Sequence, residues 1–273
     1  MRFNVVLMLI VAALATALVI ASERAEPSAI ERTDLQTSDA RVPILVELFT
    51  SEGCSSCPPA DQLLAALEQT QPIDGAEVIA LSEHVDYWNR LGWTDPYSSP
   101  AFSLRQSEYA RVFAIEDIYT PQMVVDGRAQ FTGSNATRAR EAIATASRDP
   151  KATVTVKRGS EDSPKASVTL EVSVSSMPGI SNEAEVLMAI AESGLSSSVA
   201  RGENKGRNLS HIAVVRKLMS LGKIDLNKGA GFTANPTVRI EKTWKRENLK
   251  AVVFVQERKS KQVRGVGSVQ LGM

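Results

Sequence analysis

The chain's only two cysteines, Cys54 and Cys57, stand in the stretch VELFTSEGCSSCPPAD (46–61), with two prolines and Asp61 close behind them. Three chemistries suit that spacing: a reversible dithiol, a metal clip, or a permanent disulfide. A permanent bridge over so short a loop removes little chain entropy and contributes little as a staple. A metal clip needs further soft or imidazole ligands, and the chain offers His84, His211 and seven methionines. That supply excludes a many-ligand zinc framework. A reversible dithiol needs a stabilised thiolate, which the free N–H groups and positive dipole end of a helix N-terminus provide. On this reading Cys54 is the exposed attacking thiol, and Cys57, one turn further in, resolves the mixed disulfide.

The elements around the cysteines must place them at such a junction. PILVELF (43–49) is a short apolar run of the kind buried in a parallel sheet. ADQLLAALEQ (60–69) sets Leu63, Leu64 and Leu67 on one helical face, and Pro58 and Pro59 are tolerated because first-turn N–H groups have no intrahelical partner. AEVIALSEHV (76–85) predicts a second strand, FSLRQSEYARVFAI (102–115) a helix, and IYTPQMVVDGRAQFTG (118–133) two strands joined at Asp126-Gly127. SNATRAREAIATAS (134–147) closes as a capped helix, giving the order βαβαββα. In that order Thr120-Pro121 opens the third strand and lies across from the dithiol if its peptide bond is cis, although trans is the ordinary state of an X-Pro bond.

Near the end of the second strand His84 is a candidate ligand or proton shuttle beside the dithiol, or else a hydrogen-bonded structural histidine. The following stretch gathers Asp86, Tyr87, Trp88, Trp93, Asp95 and Tyr97. Trp88 and Trp93 form either a substrate-binding surface over the site or the packing beneath their own loop. Past Asp149-Pro150 the texture becomes short β-rich runs with period-two alternation, as in KASVTLEVSVSS, which predicts an antiparallel β-sandwich. His211 falls in that second half.

Residues 1–21 carry Arg2 and then an uncharged apolar run, the pattern of an export signal or of a retained membrane anchor. Residues 22–41 read as a polar tether. The expected division is therefore leader 1–21, linker 22–41, an α/β domain over 42–149 and a β-rich domain over 150–273. The 31 basic and 31 acidic residues balance, so no field favours nucleic acid. Export makes disulfide chemistry permissible.

Residues 43–148 resemble a thioredoxin-like domain, with CSSC as the active-site dithiol, Thr120-Pro121 as the cis-proline loop and Asp126-Gly127 as the terminal hairpin. More narrowly, LFTSEGCSSCPPAD, HVDYWNRLGWTDPYSSPAF and GENKGRNLSH resemble an uncharacterised family of exported bacterial proteins of unknown function. The resemblance implies a fold class, an α/β thioredoxin-like domain followed by a mainly antiparallel β-sandwich-like domain, and an oxidoreductase site. In that site Cys54 and Cys57 react, Pro121 and Thr120 shape the groove, and Glu47 takes the place of the buried acid that accepts the second cysteine's proton. Gly53 stands where the family usually has tryptophan, Ser55-Ser56 replaces its usual dipeptide, and Glu47 is one residue off the family spacing, which on a strand reverses the facing of a side chain. No cofactor beyond the thiols is implied, and the partners would be exported thiol or disulfide proteins, with membrane contact through residues 1–21 if these are retained. The alternatives are a copper-binding module using CSSC and His84, and a non-catalytic partner-binding protein.

Overall fold

The computed structural model describes residues 41–159, 166–176, 183–225 and 231–272; the leader and tether expected over 1–40 lie outside them. Among the described residues no helix is long and apolar enough to cross a membrane.

Strand β1 (Val42–Thr50) is buried on both faces over most of its length, as its unbroken apolar run requires of a central strand. It pairs in parallel with β2 (Ala76–His84) and antiparallel with β3 (Gln122–Val125). Helix α1 (Pro58–Thr70) connects β1 to β2, and α2 (Pro100–Phe113) precedes β3. Strand β4 (Ala129–Thr132) returns along β3 and leads into α3 (Ala136–Ala146), which Asn135 caps by accepting from the Arg138 amide. In the β3–β4 turn Asp126 and Gly127 both have positive φ, 49° and 62°. A Cβ at Gly127 would stand 1.9 Å from the Lys261 carbonyl oxygen, so both the turn type and the space demand glycine.

Strand parity decides what each face of β1 meets. Ile44, Val46 and Leu48 pack with Leu64, Leu67 and Ile143 from α1 and α3. Leu45 turns the other way, to Ile79, Leu81 and Phe102, and Phe49 packs with Tyr109 of α2. Glu47 shares this second face.

The chain beyond residue 150 extends the sheet of β1, and also forms a second sheet and a two-stranded one of its own. It adds β5 (Val154–Arg158), β6 (Ser167–Val174), β7 (Glu183–Glu192), β8 (Leu195–Ser198), β9 (Asn208–His211), β10 (Val214–Asp225), β11 (Phe232–Ala234), β12 (Thr237–Arg239), β13 (Leu249–Glu257) and β14 (Val263–Gln270). One eight-stranded sheet runs β14-β13-β7-β10-β2-β1-β3-β4, so strands from both halves share it. The seam is parallel and short: Val214 of β10 sits beside Ser82 of β2, whose amide donates to the Ala213 carbonyl at 2.8 Å. Described residues on both sides of position 150 therefore belong to one compact unit.

The remaining strands β5, β11 and β12 flank β6 in a second sheet. Val168, Leu170, Val172 and Val174 of β6 are buried, as their alternation predicts, against Val186, Met188 and Ile190 of β7 and Val253 and Val255 of β13. The intervening residues Ala189, Ala191, Val252 and Phe254 pack instead with Leu45 and Leu81. β7 and β13 are thus buried on both faces and join the two cores.

Candidate functional site

Cys54 and Cys57 form a disulfide, with Cα atoms 5.4 Å apart, between the end of β1 and the start of α1. Cys57 is the helix N-cap and Pro58 and Pro59 fill the first positions, where their missing N–H groups leave no bond unmade. The Ser56 hydroxyl lies 3.3 Å from Cys54 Sγ. Both cysteines are 0% exposed, whereas Ser55 and Ser56 between them face solvent. The exposed attacker expected at Cys54 is therefore corrected: its sulfur is enclosed.

The other half of the chain binds the backbone beside the cysteines. Asn204, itself buried, donates through Nδ2 to the carbonyls of Glu52 and Cys54, both at 2.9 Å. Glu203 accepts from the Ser55 amide at 3.0 Å and from its hydroxyl at 2.7 Å. These hydrogen bonds hold the Glu203 carboxyl below its usual range.

Around this covered bridge the structure gathers several of the expected residues. Trp88 donates through Nε1 to Thr120 Oγ1 at 2.7 Å, and its Cβ would be 3.0 Å from a Cβ built on Gly53. Glycine before Cys54 thus makes room for an indole that arrives from a distant loop. The Thr120-Pro121 peptide is cis. Pro121 approaches α1 across Gly133, where an added Cβ would meet Leu48 at 2.7 Å, Ala60 at 3.1 Å and Pro121 at 3.2 Å. Trp93 donates to Glu52 Oε2 at 2.8 Å, so both indole N–H groups are engaged within the protein.

Glu47 is not at this site. Its carboxylate binds Arg105 at 2.6 Å and the Tyr109 hydroxyl at 2.5 Å on the α2 side of the sheet, and the odd position that it occupies on β1 is the reason. A cavity of ≈ 820 Å³ opens on that side, lined by Leu104, Arg105, Glu108, Leu187, Gln256 and Lys261, with neither cysteine in its wall.

The acidic residue in the first turn of the dithiol's own helix is Asp61, whose amide donates to the Cys57 carbonyl at 3.1 Å. Part of the residue reaches solvent, yet Oδ1 is enclosed and has no hydrogen-bond partner. Burial pushes this carboxyl up to about 6, against the pull of nearby His84, His211 and the Thr50 hydroxyl. His84 is fully buried, with Nδ1 2.7 Å from Asp95 Oδ2. His211 is not remote, as its position in the chain suggests: its ring centroid lies 4.9 Å from that of His84, and its Nε2 is 3.0 Å from Glu52 Oε1. Tyr97 packs edge-on against both rings. Burial pulls the His84 imidazolium down, but Asp95, with Asp61 and Glu52 behind it, outweighs burial and leaves it above its ordinary value. Asp95 also accepts from the Glu52 amide at 2.9 Å, which ties this histidine pair to the backbone just before the dithiol.

Asp61 supplies a pH test. Its folded pKa is raised, so the penalty of ionising it in the folded state is absent below the unfolded value and grows as pH climbs from 3.8 to about 6. Asp61→Asn is expected to increase stability relative to the parent by on the order of 2 kcal/mol more at pH 7 than at pH 4. Urea midpoints at the two pH values measure this, and an equal shift at both would contradict it.

Asp95 and His211, both noted in the sequence, are brought beside His84, while Asp61 and Glu52 join the expected set; Asp61 had a local signal, since it lies four residues after Cys57 on the same helix face. Nothing near Asn204 points to residues 52–54. Among the described residues no group of three His, Cys, Asp or Glu side chains is arranged to hold a metal ion.

Fold and site together define a mixed α/β protein with a covered Cys-x-x-Cys disulfide at a strand-to-helix junction. The chain belongs to the family described as "Protein of unknown function (DUF1223)", which matches residues 45–256. It is similar to a structural-genomics crystal structure of a protein from Agrobacterium tumefaciens, at 26% identity and a TM-score of 0.65, over 85% of this chain and 95% of that one. HBP35 of Porphyromonas gingivalis shares the fold at 14% identity and a TM-score of 0.62, over 85% of this chain and 76% of that one. No curated protein matches it.

Proposed function

We propose that this protein is an exported thiol-disulfide oxidoreductase built on a thioredoxin-like domain with a β-rich extension. The observation that carries the reading is the Cys54–Cys57 disulfide at the N-terminus of α1, where Pro58 and Pro59 start the helix beside the sulfurs. The dipole end of α1 and the Ser56 hydroxyl, 3.3 Å from Cys54 Sγ, favour a thiolate at Cys54 in the reduced protein. Cys54 is then the nucleophile and Cys57 the resolving thiol. Asp61, in place of Glu47, is the carboxyl on the same helix face that exchanges a proton with Cys57. Pro121 and Thr120 belong to the substrate groove, and His84 is held by Asp95 as part of the proton-exchanging surroundings. Export rests on the apolar run of residues 1–21, and the partners are exported thiol or disulfide proteins.

The experiment is a trap. Cys57→Ala removes the resolving thiol, so reduced Cys54 should retain partners as mixed disulfides that a reductant releases. The parent should equilibrate between oxidised and reduced forms across a graded glutathione buffer. A bridge that stays oxidised throughout, together with no trapped partner, would sink the reading. Isolation of the parent with a tightly held copper ion, lost in Cys54→Ser, would favour the metal-binding alternative.

A further inference from the structure

The redox reading requires a partner sulfur to reach Cys54 Sγ, yet both cysteines are fully enclosed. A polar, strap-like loop binds the main chain on either side of Cys54. Val199 and Arg207 pair at the base of a loop (Val199 N to Arg207 O, 2.9 Å), Gly206 donates to the Val199 carbonyl at 2.8 Å, and Gly202 and Gly206 adopt left-handed φ of 76° and 82°. The loop therefore holds its own shape, and Arg207 anchors Asn204 Oδ1 at 3.0 Å. From this frame Asn204 offers two N–H groups to the carbonyls of Glu52 and Cys54, and Glu203 offers an acceptor to the Ser55 amide. Side chains thus satisfy a row of main-chain groups running directly past the reactive sulfur. Main-chain groups of that kind pair equally well with an extended peptide, which brings alternating donors and acceptors.

We propose that residues 201–207 form a displaceable strap occupying the edge on which an extended polypeptide partner docks, so that the dithiol serves polypeptide thiols or disulfides in preference to small ones. The proposal rests on the redox reading and adds the docking edge, the preference for polypeptide over small thiols, and the means of access. In the reducing direction, a partner thiolate attacks Cys54 Sγ and the Cys54–Cys57 bond breaks. Cys57 leaves as a thiolate with the electron pair and takes a proton. A second partner thiolate then attacks the partner sulfur of the mixed disulfide and releases Cys54, so the partner dithiol is oxidised to a disulfide while the protein's bridge is reduced.

The test follows reduction rates of the full chain. Dithiothreitol should reduce Asn204→Ala roughly tenfold faster than the parent, since two hydrogen bonds holding the strap are lost. Glu203→Ala, at an exposed position that leaves the fold undisturbed, should accelerate it about threefold. In Asn204→Ala, an unstructured ten-residue peptide with one cysteine should react several-fold faster than a capped single cysteine. Equal dithiothreitol rates in the parent and both variants would overturn the strap, and equal peptide and single-cysteine rates in Asn204→Ala would overturn the polypeptide class. Both readouts are rates, so they separate from the glutathione equilibrium, which compares end states and tests the redox reading alone.

Discussion

Arg105→Leu should cost about 3–5 kcal/mol, which for a chain of this size lowers the thermal midpoint by roughly 10 °C. Arg105 is almost fully buried on α2 and its guanidinium binds Glu47 at 2.6 Å, Glu83 at 3.3 Å, the Gln256 amide oxygen at 3.0 Å and the Tyr109 hydroxyl at 3.2 Å. Removing the cation strands two carboxylates that are both 0% exposed. Burial holds Glu83 well above the usual carboxylate range although Arg105 pulls it down, so losing Arg105 raises the cost of ionising Glu83, and Glu47 loses its guanidinium partner. Two consequences separate this account from simple loss of packing. Adding Glu47→Gln should restore a large part of the stability, and the defect of the single variant should shrink as pH falls towards 4. Differential scanning calorimetry of both variants measures each, and a defect independent of pH and unrelieved by Glu47→Gln would contradict it.

A fragment comprising residues 42–149 should fail to fold. Without the second half, Leu45, Ile79, Leu81 and Phe102 lose their cover of Ala189, Ala191, Val215, Val252 and Phe254. Exposing four large apolar side chains costs roughly 6–12 kcal/mol, comparable to the whole stability of an ordinary domain. The cut also removes Asn204 from the dithiol and Gln256 from the Arg105 cluster. Dispersed amide signals and a cooperative unfolding transition from this fragment would refute the account of a sheet shared by both halves.

These two results show what could and could not be seen from residue order. The strand-turn-helix around the cysteines, the Asp126-Gly127 hairpin and the alternation of β6 are local patterns, written within a few residues of where they act. Glu47 was legible as buried but not by side, since one position along a strand reverses its facing. Arg105 was hidden because its charge marks it as a solvent residue in a helical pattern, and only the carboxylates from β1 and β2 explain its burial. Helical spacing alone puts Val112 with Phe102 and Tyr109, yet it is 39% exposed. The shared sheet was invisible for a related reason: β10 meets β2 through Val214 beside Ser82, and nothing in either segment announces the other. Trp88 is a similar case, where Gly53 makes sense only once the indole above it is known.

The contacts from Asn204 to Glu52 and Cys54 span 152 and 150 residues. Synthesis proceeds from the N-terminus at roughly 5–20 residues per second, so the cysteines emerge about 8–30 seconds before the residue that binds the backbone beside them. For that interval neither carbonyl has its Asn204 partner, so the turn that carries the cysteines first forms without the contacts that later hold it.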